Sequence, residues 1–260
     1  MISQQEKDGE NSMSTKPWFR EKYQLDRMNF RDLMWAYILY PTIQVYGVLW
    51  IGSLIVAVGL FSHFPVSPLR ILGSILATLV AYPFVEYGVH RFFLHGRFLY
   101  RSPRTAALWK RIHFDHHQDP NDLRVLFGAV SNTLPTLVVA TFPIGISIAG
   151  WAGAPVAFAT AMGCFMVYEL CHCMQHLRVN PKIKFLRRLK RHHLLHHFHN
   201  EQGNFGITSL FCDRLFGSLY ASAEERPLSQ TVSNLGYQGE ERVRYPWVSQ
   251  LSEPIAEPKP

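Results

Sequence analysis

Three long runs without any Lys, Arg, Asp or Glu constrain this chain more than any other feature of its sequence. They cover residues 33–69, 71–85 and 125–168. A helix needs about 20 predominantly apolar residues to cross a bilayer. The first run reaches that length, the second reaches it only if the span continues past Glu86 towards His90, and the third is long enough for two spans. A soluble protein with buried helices is the less favoured alternative.

The runs therefore predict an all-α integral membrane fold with four transmembrane helices. We expect a membrane domain over residues 41–220, with spans at about 42–62, 70–92, 127–148 and 154–176. Turns near 63–69 and 150–155 would join the spans in pairs, and the second turn is rich in Gly.

The two ends of the chain are expected to lie outside the membrane domain. Residues 1–40 are predicted to form a cytosolic or interfacial segment, in which 17–34 is either a helix lying in the membrane interface or an amphipathic helix packed on the domain. Residues 221–260 are predicted to form a C-terminal tail of irregular surface structure, because prolines are scattered through it.

The positions of the basic residues predict the orientation. Lys and Arg number six in residues 1–32, seven in 86–124 and seven in 178–191, whereas Arg70, directly after the first expected turn, is the one basic residue at either turn. Basic loops remain on the cytoplasmic side, so both termini and the middle segment are expected there. The net charge of +7 favours an anionic membrane surface as the partner and not nucleic acid, because the basic blocks lie beside apolar runs.

Histidine is concentrated in one part of the chain. Twelve of the thirteen histidines lie between residues 90 and 199, in clusters that read HRFFLH, HFDHH, HCMQH and HHLLHHFH. Residues three or four apart share a helix face, so the HxxHH and HxxxH spacings should each direct their imidazoles at one place. His90 and His95 are five apart, so either they serve different ions or the helix ends or bulges between them. His63, in an outer turn, is interpreted as incidental.

The expected topology brings all four clusters to one level, just inside the cytoplasmic membrane surface. Imidazole binds Fe, Zn, Cu and Ni, and ten clustered imidazoles suit two ions with five ligands each, since a zinc site takes about four. The alternative is that each cluster is a separate solvated polar face. HCMQH has the spacing of a zinc-protease helix, but Cys173 replaces the glutamate base, which argues against proteolysis.

These motifs, in this order, resemble the fatty acid hydroxylase/sterol desaturase superfamily of membrane di-iron enzymes. The similarity covers roughly residues 82–220, from EYGVHRFFLH through HFDHH and YELCHCMQH to RHHLLHHFHNEQGNFGITSLFCDRLFGSLY. The resemblance implies four membrane helices under a cytosolic helical cap that holds two Fe ions, for which Zn can substitute in a purified sample. It also implies O2 as co-substrate, a lipid as substrate and hydroxylation or desaturation of a C–H bond.

Carried over residue by residue, the resemblance implies ten metal ligands and no catalytic residue separate from them. The ligands are His90, His95, His113, His116, His117, His172, His176, His193, His196 and His197. Glu86 and Glu169 are expected to hydrogen-bond to ligand imidazoles, or alternatively to pair with Arg91 or another basic residue. His192 and His199 are expected to support the ligands or to lie at the surface.

Within the superfamily, motif spacing favours the fatty acid 2-hydroxylase branch, and hence C-2 of a fatty acyl chain. Four residues separate His90 from His95, and six separate His197 from NFG, as in that branch. Asn204 departs from it by replacing a glycine, and Cys212 by replacing a tryptophan. Sterol desaturation, sterol methyl oxidation and carotenoid ring hydroxylation are the alternatives on the same scaffold. A metal transporter or sensor is the alternative of another class.

Electrons are expected from a separate protein such as a cytochrome b5-like protein or a ferredoxin, because the chain contains no HPGG haem motif. The basic segment 178–191 is suited either to docking an acidic electron donor or to contacting lipid headgroups.

Overall fold

The computed structural model of the chain describes residues 24–252, and this part is helical. Its only β-type pairing is an isolated bridge between Gln24 and Asp122. The α-helices are α1 (Phe30–Leu39), α2 (Pro41–His63), α3 (Pro68–Gly88), α4 (Pro103–Trp109), α5 (Asp115–Gln118), α6 (Leu123–Leu126), α7 (Val130–Ala149), α8 (Gly153–His176), α9 (Lys184–Phe198), α10 (Phe211–Leu215), α11 (Glu240–Arg244) and α12 (Trp247–Gln250). Two π-helical segments, Val89–Leu94 and Lys110–Phe114, directly follow α3 and α4.

Three segments of the described chain are long and apolar enough to cross a membrane: Pro41–His63, Pro68–Leu94 and Leu123–His176. The third segment contains both α7 and α8, separated by the 3-10 turn Gly150–Ala152. Gly150 ends α7 with a φ of 63°, a left-handed conformation that glycine adopts without a steric penalty. The expected all-α class is confirmed for the described residues, which include helices long and apolar enough to span a membrane. The number of crossings and the cytosolic cap stay predictions.

The outward faces of the long helices are apolar. On α2, Val48, Ile55 and Val58 are exposed by 71%, 66% and 69% of their surface. Apolar faces of this extent are rare on soluble monomers and indicate contact with lipid. On the inward side, α7 and α8 approach so closely that a Cβ on Gly145 would lie 2.2 Å from the Gly153 carbonyl oxygen, which is typical of helices packed inside a membrane.

Helix α1 packs against α2 and α8 and also presents apolar residues outward. Asn29 and Asp32 form a capping box at its start, and the Tyr37 hydroxyl donates to the Met166 carbonyl at 2.6 Å. Trp35 and Ile38 are exposed. Of the predicted helix over 17–34, residues 17–23 lie outside the described residues. Helix α1 begins later, at Phe30, and packs on the domain with one face while it exposes apolar residues on the other. A position in the membrane interface stays a prediction.

The C-terminal segment differs from the expected irregular tail. Leu235, Tyr237 and Val248 are buried in a cluster with Tyr100 and Trp109. Its local sequence is dominated by turns, and its burial comes from residues more than a hundred positions earlier in the chain. Contacts of that kind leave no local pattern for a sequence prediction to use.

Candidate metal centre

The four histidine clusters meet at one end of the long helices. His90 and His95 lie where α3 continues as a π-helix, His172 and His176 lie in the last turns of α8, and the other clusters lie on α4–α5 and α9. Nine of the ten predicted ligands are buried, and His95 is partly buried. The structure therefore brings the imidazoles of all four clusters together, which separate solvated faces would not require.

The first group contains five histidines whose ring nitrogens all lie within 4.8 Å of one another: His116, His172, His176, His193 and His197. The Nε2 atoms of His116 and His172 are 3.0 Å apart, and those of His176 and His193 are 2.9 Å apart. Two nitrogens bound at right angles to one ion, with bonds of about 2.1 Å, are about 3.0 Å apart. The spacing in this group thus matches ligands that share an ion.

The second group contains His90, His95, His117 and His196, whose nitrogens also lie within 4.8 Å of one another. His113 joins it, because its Nε2 lies 2.8 Å from His95 Nε2. His95 Nε2 is also 3.3 Å from His90 Nε2. The ten predicted ligands therefore form two neighbouring groups of five.

A π-helix explains how His90 and His95 reach the same group although they are five residues apart. The His95 amide donates to the His90 carbonyl at 3.1 Å, which is the i to i+5 bond of a π-helical turn. The spacing left open whether the helix bulges between these residues, and the structure shows that it does. Both imidazoles therefore belong to the second group of histidines.

The two HxxHH motifs do not each point at a single place, contrary to the expectation from helix spacing. His116 belongs to the first group, whereas His113 and His117 belong to the second. On α9, His193 belongs to the first group and His196 to the second. Adjacent motif positions lie on either side of the boundary between the groups, so each group takes residues from three clusters.

Backbone carbonyls fix the rings of the second group. The Nδ1 atoms of His90, His117 and His196 donate to the carbonyl oxygens of Phe205, Val232 and Gly203, at 2.5, 2.9 and 2.7 Å. A proton on Nδ1 leaves the Nε2 lone pair free for a metal. Among the described residues, the Nε2 atoms of His117 and His196 are buried and have no hydrogen-bond partner, which is the arrangement that a bound cation would satisfy.

Burial and mutual repulsion keep the clustered imidazoles neutral. Loss of hydration, together with repulsion from neighbouring histidines, lowers the pKa of His117 and of His196 to about 3. The pKa values of His95, His113 and His193 are lowered well below the ordinary value by the same two causes. Neutral imidazole is the form that binds metal, so the rings are prepared for ligation at neutral pH.

Asp213, which the sequence analysis did not select, holds the loop that supplies two of these carbonyls. Its carboxylate accepts the amides of Phe205 and Gly206 at 2.9 and 2.7 Å, and the Ser218 hydroxyl at 2.7 Å. It is completely buried. A side chain at Gly206 has no room, because its Cβ would lie 2.0 Å from the Ser209 carbonyl oxygen. The loop 203–206 is therefore fixed by hydrogen bonds to the buried Asp213 carboxylate and by close packing at Gly206.

Asn204, which replaces the glycine of the related motif, has a φ of 58°. Asparagine tolerates this left-handed region better than most residues. Its side chain also donates to the Tyr220 carbonyl and accepts from the Tyr220 amide, both at 3.0 Å. The departure from glycine thus keeps the backbone conformation and adds two hydrogen bonds.

Glu86 and Glu169 hydrogen-bond to backbone groups and not to imidazoles. Glu86 Oε1 accepts the amides of Ile207 and Thr208 at 2.7 and 2.9 Å, and Glu169 Oε1 accepts the Gly128 amide at 2.8 Å. The expected pairing with ligand rings is corrected: Glu86 supports the ligands by holding the loop that contacts them. The alternative pairing of Glu86 with Arg91 is also not found, since Arg91 donates to the Tyr87 hydroxyl.

His192 and His199 lie outside both groups. His192 Nδ1 donates to the Tyr220 carbonyl at 2.8 Å, and His199 Nε2 donates to the Arg226 carbonyl at 2.7 Å. Both rings therefore hold the segment 220–226 against α9.

A cavity of about 100 Å³ adjoins both groups of histidines. Its lining includes histidines of each group, namely His90, His113, His116, His172 and His197. The rest of the wall is mostly apolar and comes from the long helices, with Tyr82, Val85, Leu137 and Phe165 among its residues. This cavity has room for part of an apolar carbon chain against the clustered imidazoles.

Comparison with known proteins supports the family resemblance that the histidine motifs indicated. A family model described as "Fatty acid hydroxylase" matches residues 75–218. The chain is 33% identical over 153 residues to "Ceramide very long chain fatty acid hydroxylase SCS7" of Saccharomyces cerevisiae, covering 56% of this chain and 37% of that protein. It is 26% identical over 196 residues to "Dihydroceramide fatty acyl 2-hydroxylase FAH1" of Arabidopsis thaliana, covering 73% of this chain and 78% of that protein.

A mammalian relative and a solved structure agree with these matches. The chain is 31% identical to "Fatty acid 2-hydroxylase" of Rattus norvegicus, covering 58% of this chain and 39% of that protein. The structure titled "Full length scs7p (only hydroxylase domain visible)" superposes with a TM-score of 0.55 at 28% identity, covering 71% of this chain and 69% of that chain. The chain spans well under half of the yeast and rat relatives.

Proposed function

Because the chain belongs to the fatty acid hydroxylase family, we propose that it hydroxylates a fatty acyl chain of a membrane lipid with O2, at C-2. The names of the yeast and Arabidopsis relatives specify fatty acyl hydroxylation, and the Arabidopsis name specifies position 2. The observation that carries the proposal is the cavity between apolar helices whose wall includes imidazoles of both histidine groups.

The ten histidines would hold two iron ions, five to each group. Iron supplies the O2 activation that an unactivated C–H bond requires, and this chemistry belongs to the metal. The protein's residues hold the ligands in the required form. Burial keeps the imidazoles neutral, and the carbonyl oxygens of Phe205, Val232 and Gly203 keep Nδ1 protonated and Nε2 directed at the ion.

The cavity residues would orient the substrate and exclude water. Apolar side chains such as Val85, Leu137 and Phe165 would contact the methylenes and give the chain surroundings as apolar as the lipid that it leaves. The narrow space restricts which carbon reaches the imidazoles. Regioselectivity at C-2 would follow from this restriction, because the acyl chain itself has no functional group beyond its first carbon.

The membrane arrangement is part of the proposal. We place α2, α3, α7 and α8 across the bilayer within a domain of residues 41–220, with the histidines and both termini on the cytoplasmic side, as the basic residues predict. An acidic electron donor of the cytochrome b5 or ferredoxin type would dock on the basic face of segment 178–191, where Lys184, Arg187 and Arg191 are exposed. Ile183 and Phe185 are also exposed there, so contact with lipid headgroups is the competing use of this face.

The proposal is tested by mass spectrometry of lipids from cells with and without the protein, grown under ¹⁸O2. The expected product is a fatty acyl chain with one ¹⁸O at C-2. His193→Ala should lose both the product and bound metal, whereas His63→Ala, in the outer turn, should retain both. Oxygen on a sterol or carotenoid, or full product from His193→Ala, would contradict the proposal.

A further inference from the structure

A second concave surface lies on the lipid-facing side of the molecule. A groove of about 610 Å³ runs between α2, α3 and α8. Its walls are mostly apolar, with Trp50 and Leu54 from α2 and Ile75 and Leu79 from α3. At the end nearest the histidines it reaches Thr208, whose amide and hydroxyl both donate to Glu86.

Tyr82 lies between this groove and the cavity at the histidines. Its side chain lines both spaces, and only 8% of its surface is exposed. It is the one residue that the linings of the two spaces share. A molecule that occupies both spaces must therefore pass the Tyr82 ring.

The volumes show that the cavity cannot hold a long acyl chain by itself. The cavity measures about 100 Å³, whereas ligand sites for drug-sized molecules measure roughly 300–1,000 Å³. The groove, at about 610 Å³, lies within that range. Along α8 it extends from Val156 to Val167, which corresponds to about 17 Å at the rise of an α-helix. It thus runs from near the histidines into the apolar depth of the helices.

We propose that the groove holds the acyl tail of the lipid substrate while the first carbons lie in the cavity, with Tyr82 as the specificity-determining residue between them. This inference rests on the proposed function and extends it to the route and length of the substrate. The tail then remains in contact with the membrane interior during the reaction. Chains that reach far along the groove gain contacts that short chains lack.

Gly163 offers a way to fill the groove without disturbing the helices. It lines the groove, and a Cβ placed there meets no atom closer than Trp50 Nε1 at 3.6 Å. It lies nine residues before His172, about 14 Å along α8. Gly59 provides the matched control, because it is exposed on α2 outside the groove and a Cβ there meets nothing within 4 Å.

The experiment compares wild type, Gly163→Phe and Gly59→Phe in lipid nanodiscs. Each receives a stearoyl lipid that carries a photoreactive diazirine in its chain, and crosslinked peptides are located by mass spectrometry. Wild type and Gly59→Phe should be labelled at α3 near Tyr82 and at α8 near Thr160, and Gly163→Phe should lose this labelling. Hydroxylation of stearoyl lipid should fall at least about tenfold in Gly163→Phe, a loss of about 1.4 kcal/mol, while octanoyl lipid is hydroxylated as in wild type.

The two readouts separate this inference from the proposed function. Equal labelling of Gly163→Phe and wild type, or labelling confined to other helices, would overturn the groove assignment even if product forms. Equal losses for octanoyl and stearoyl lipids would overturn it as well. Labelling of the groove without product in any variant would instead contradict the proposed function, because crosslinking requires no turnover.

Discussion

Asp213→Asn should weaken metal binding in one histidine group and leave the other unchanged. Asp213 is buried and accepts three hydrogen bonds, two of them from the amides of Phe205 and Gly206. Asparagine offers one acceptor oxygen in place of two and turns an NH2 group towards the loop. One backbone amide is then left buried without an acceptor.

The cost can be worked from these bonds. A buried amide without an acceptor costs about 1–3 kcal/mol. Loss of a group that orients metal ligands typically lowers metal affinity about 10–100-fold, which equals about 1.4–2.8 kcal/mol. The two ranges agree. The loop 203–206 contacts His90 and His196 of the second group, so the loss should be confined to that group.

Metal content by elemental analysis provides the assay, after dialysis against a chelator strong enough to compete with the weakened site. Wild type should retain two ions per chain and Asp213→Asn should retain one. Asp26→Asn, in an exposed 3-10 turn, is the matched control and should retain two. Size-exclusion chromatography and the melting temperature establish that each variant is folded.

Two results would refute this reasoning: full retention of both ions by Asp213→Asn, or equal loss from both groups in a folded protein. If Asp213→Asn does not fold, Ser218→Ala removes one of the three bonds and should show a smaller loss from the second group alone.

Three further predictions follow from the same contacts. Asn204→Ala should have a free energy of unfolding about 1 kcal/mol lower than that of Asn204→Gly, and hence a lower melting temperature. Both variants lose the bonds to Tyr220, but only alanine is strained at a φ of 58°. Equal melting temperatures would contradict this. Glu86→Leu should lower the melting temperature by several degrees and Glu86→Gln by much less, since glutamine keeps an acceptor for the two loop amides. A lower melting temperature for Glu86→Gln than for Glu86→Leu would disprove this role of Glu86. Metal-free protein should lose stability as the pH falls from about 6.5 to 3. Folding lowers the pKa of His117 and His196 from 6.5 to about 3, so in this range the unfolded chain binds protons at these rings and the folded chain does not. Unfolding curves that do not change across this range would argue against it.

The sequence was sufficient to predict the features that depend on composition and spacing. Uncharged runs predicted long apolar helices, and the structure has such helices at Pro41–His63, Pro68–Leu94 and Leu123–His176. The histidine spacing predicted imidazoles that converge, the family resemblance named ten candidate ligands among them, and the structure brings their rings into two groups. The long helices and the convergence follow from the period of a helix and the chemistry of the side chains, whereas the choice of the ten ligands came from the resemblance.

The features that the sequence could not predict depend on backbone geometry and distant contacts. The spacing of His90 and His95 allowed a bulge as one of several alternatives, but no residue type marks the π-helical turn that the structure has there. Each HxxHH motif supplies histidines to both groups, because the boundary between the two groups passes between neighbouring histidines of the motif. That boundary is set by how the helices pack and not by the local sequence. The carbonyl oxygens of Gly203, Phe205 and Val232 have no signature in a sequence, so the carboxylates of Glu86 and Glu169 were expected in a role that backbone groups fill.

The most direct test of the account is an anomalous difference map at the iron absorption edge, measured from crystals of iron-loaded protein. Two anomalous peaks are expected in each chain. One should lie among His116, His172, His176, His193 and His197, and the other among His90, His95, His113, His117 and His196. A single peak, no peak within the clusters, or peaks at other residues would contradict the claim that these imidazoles hold a pair of ions.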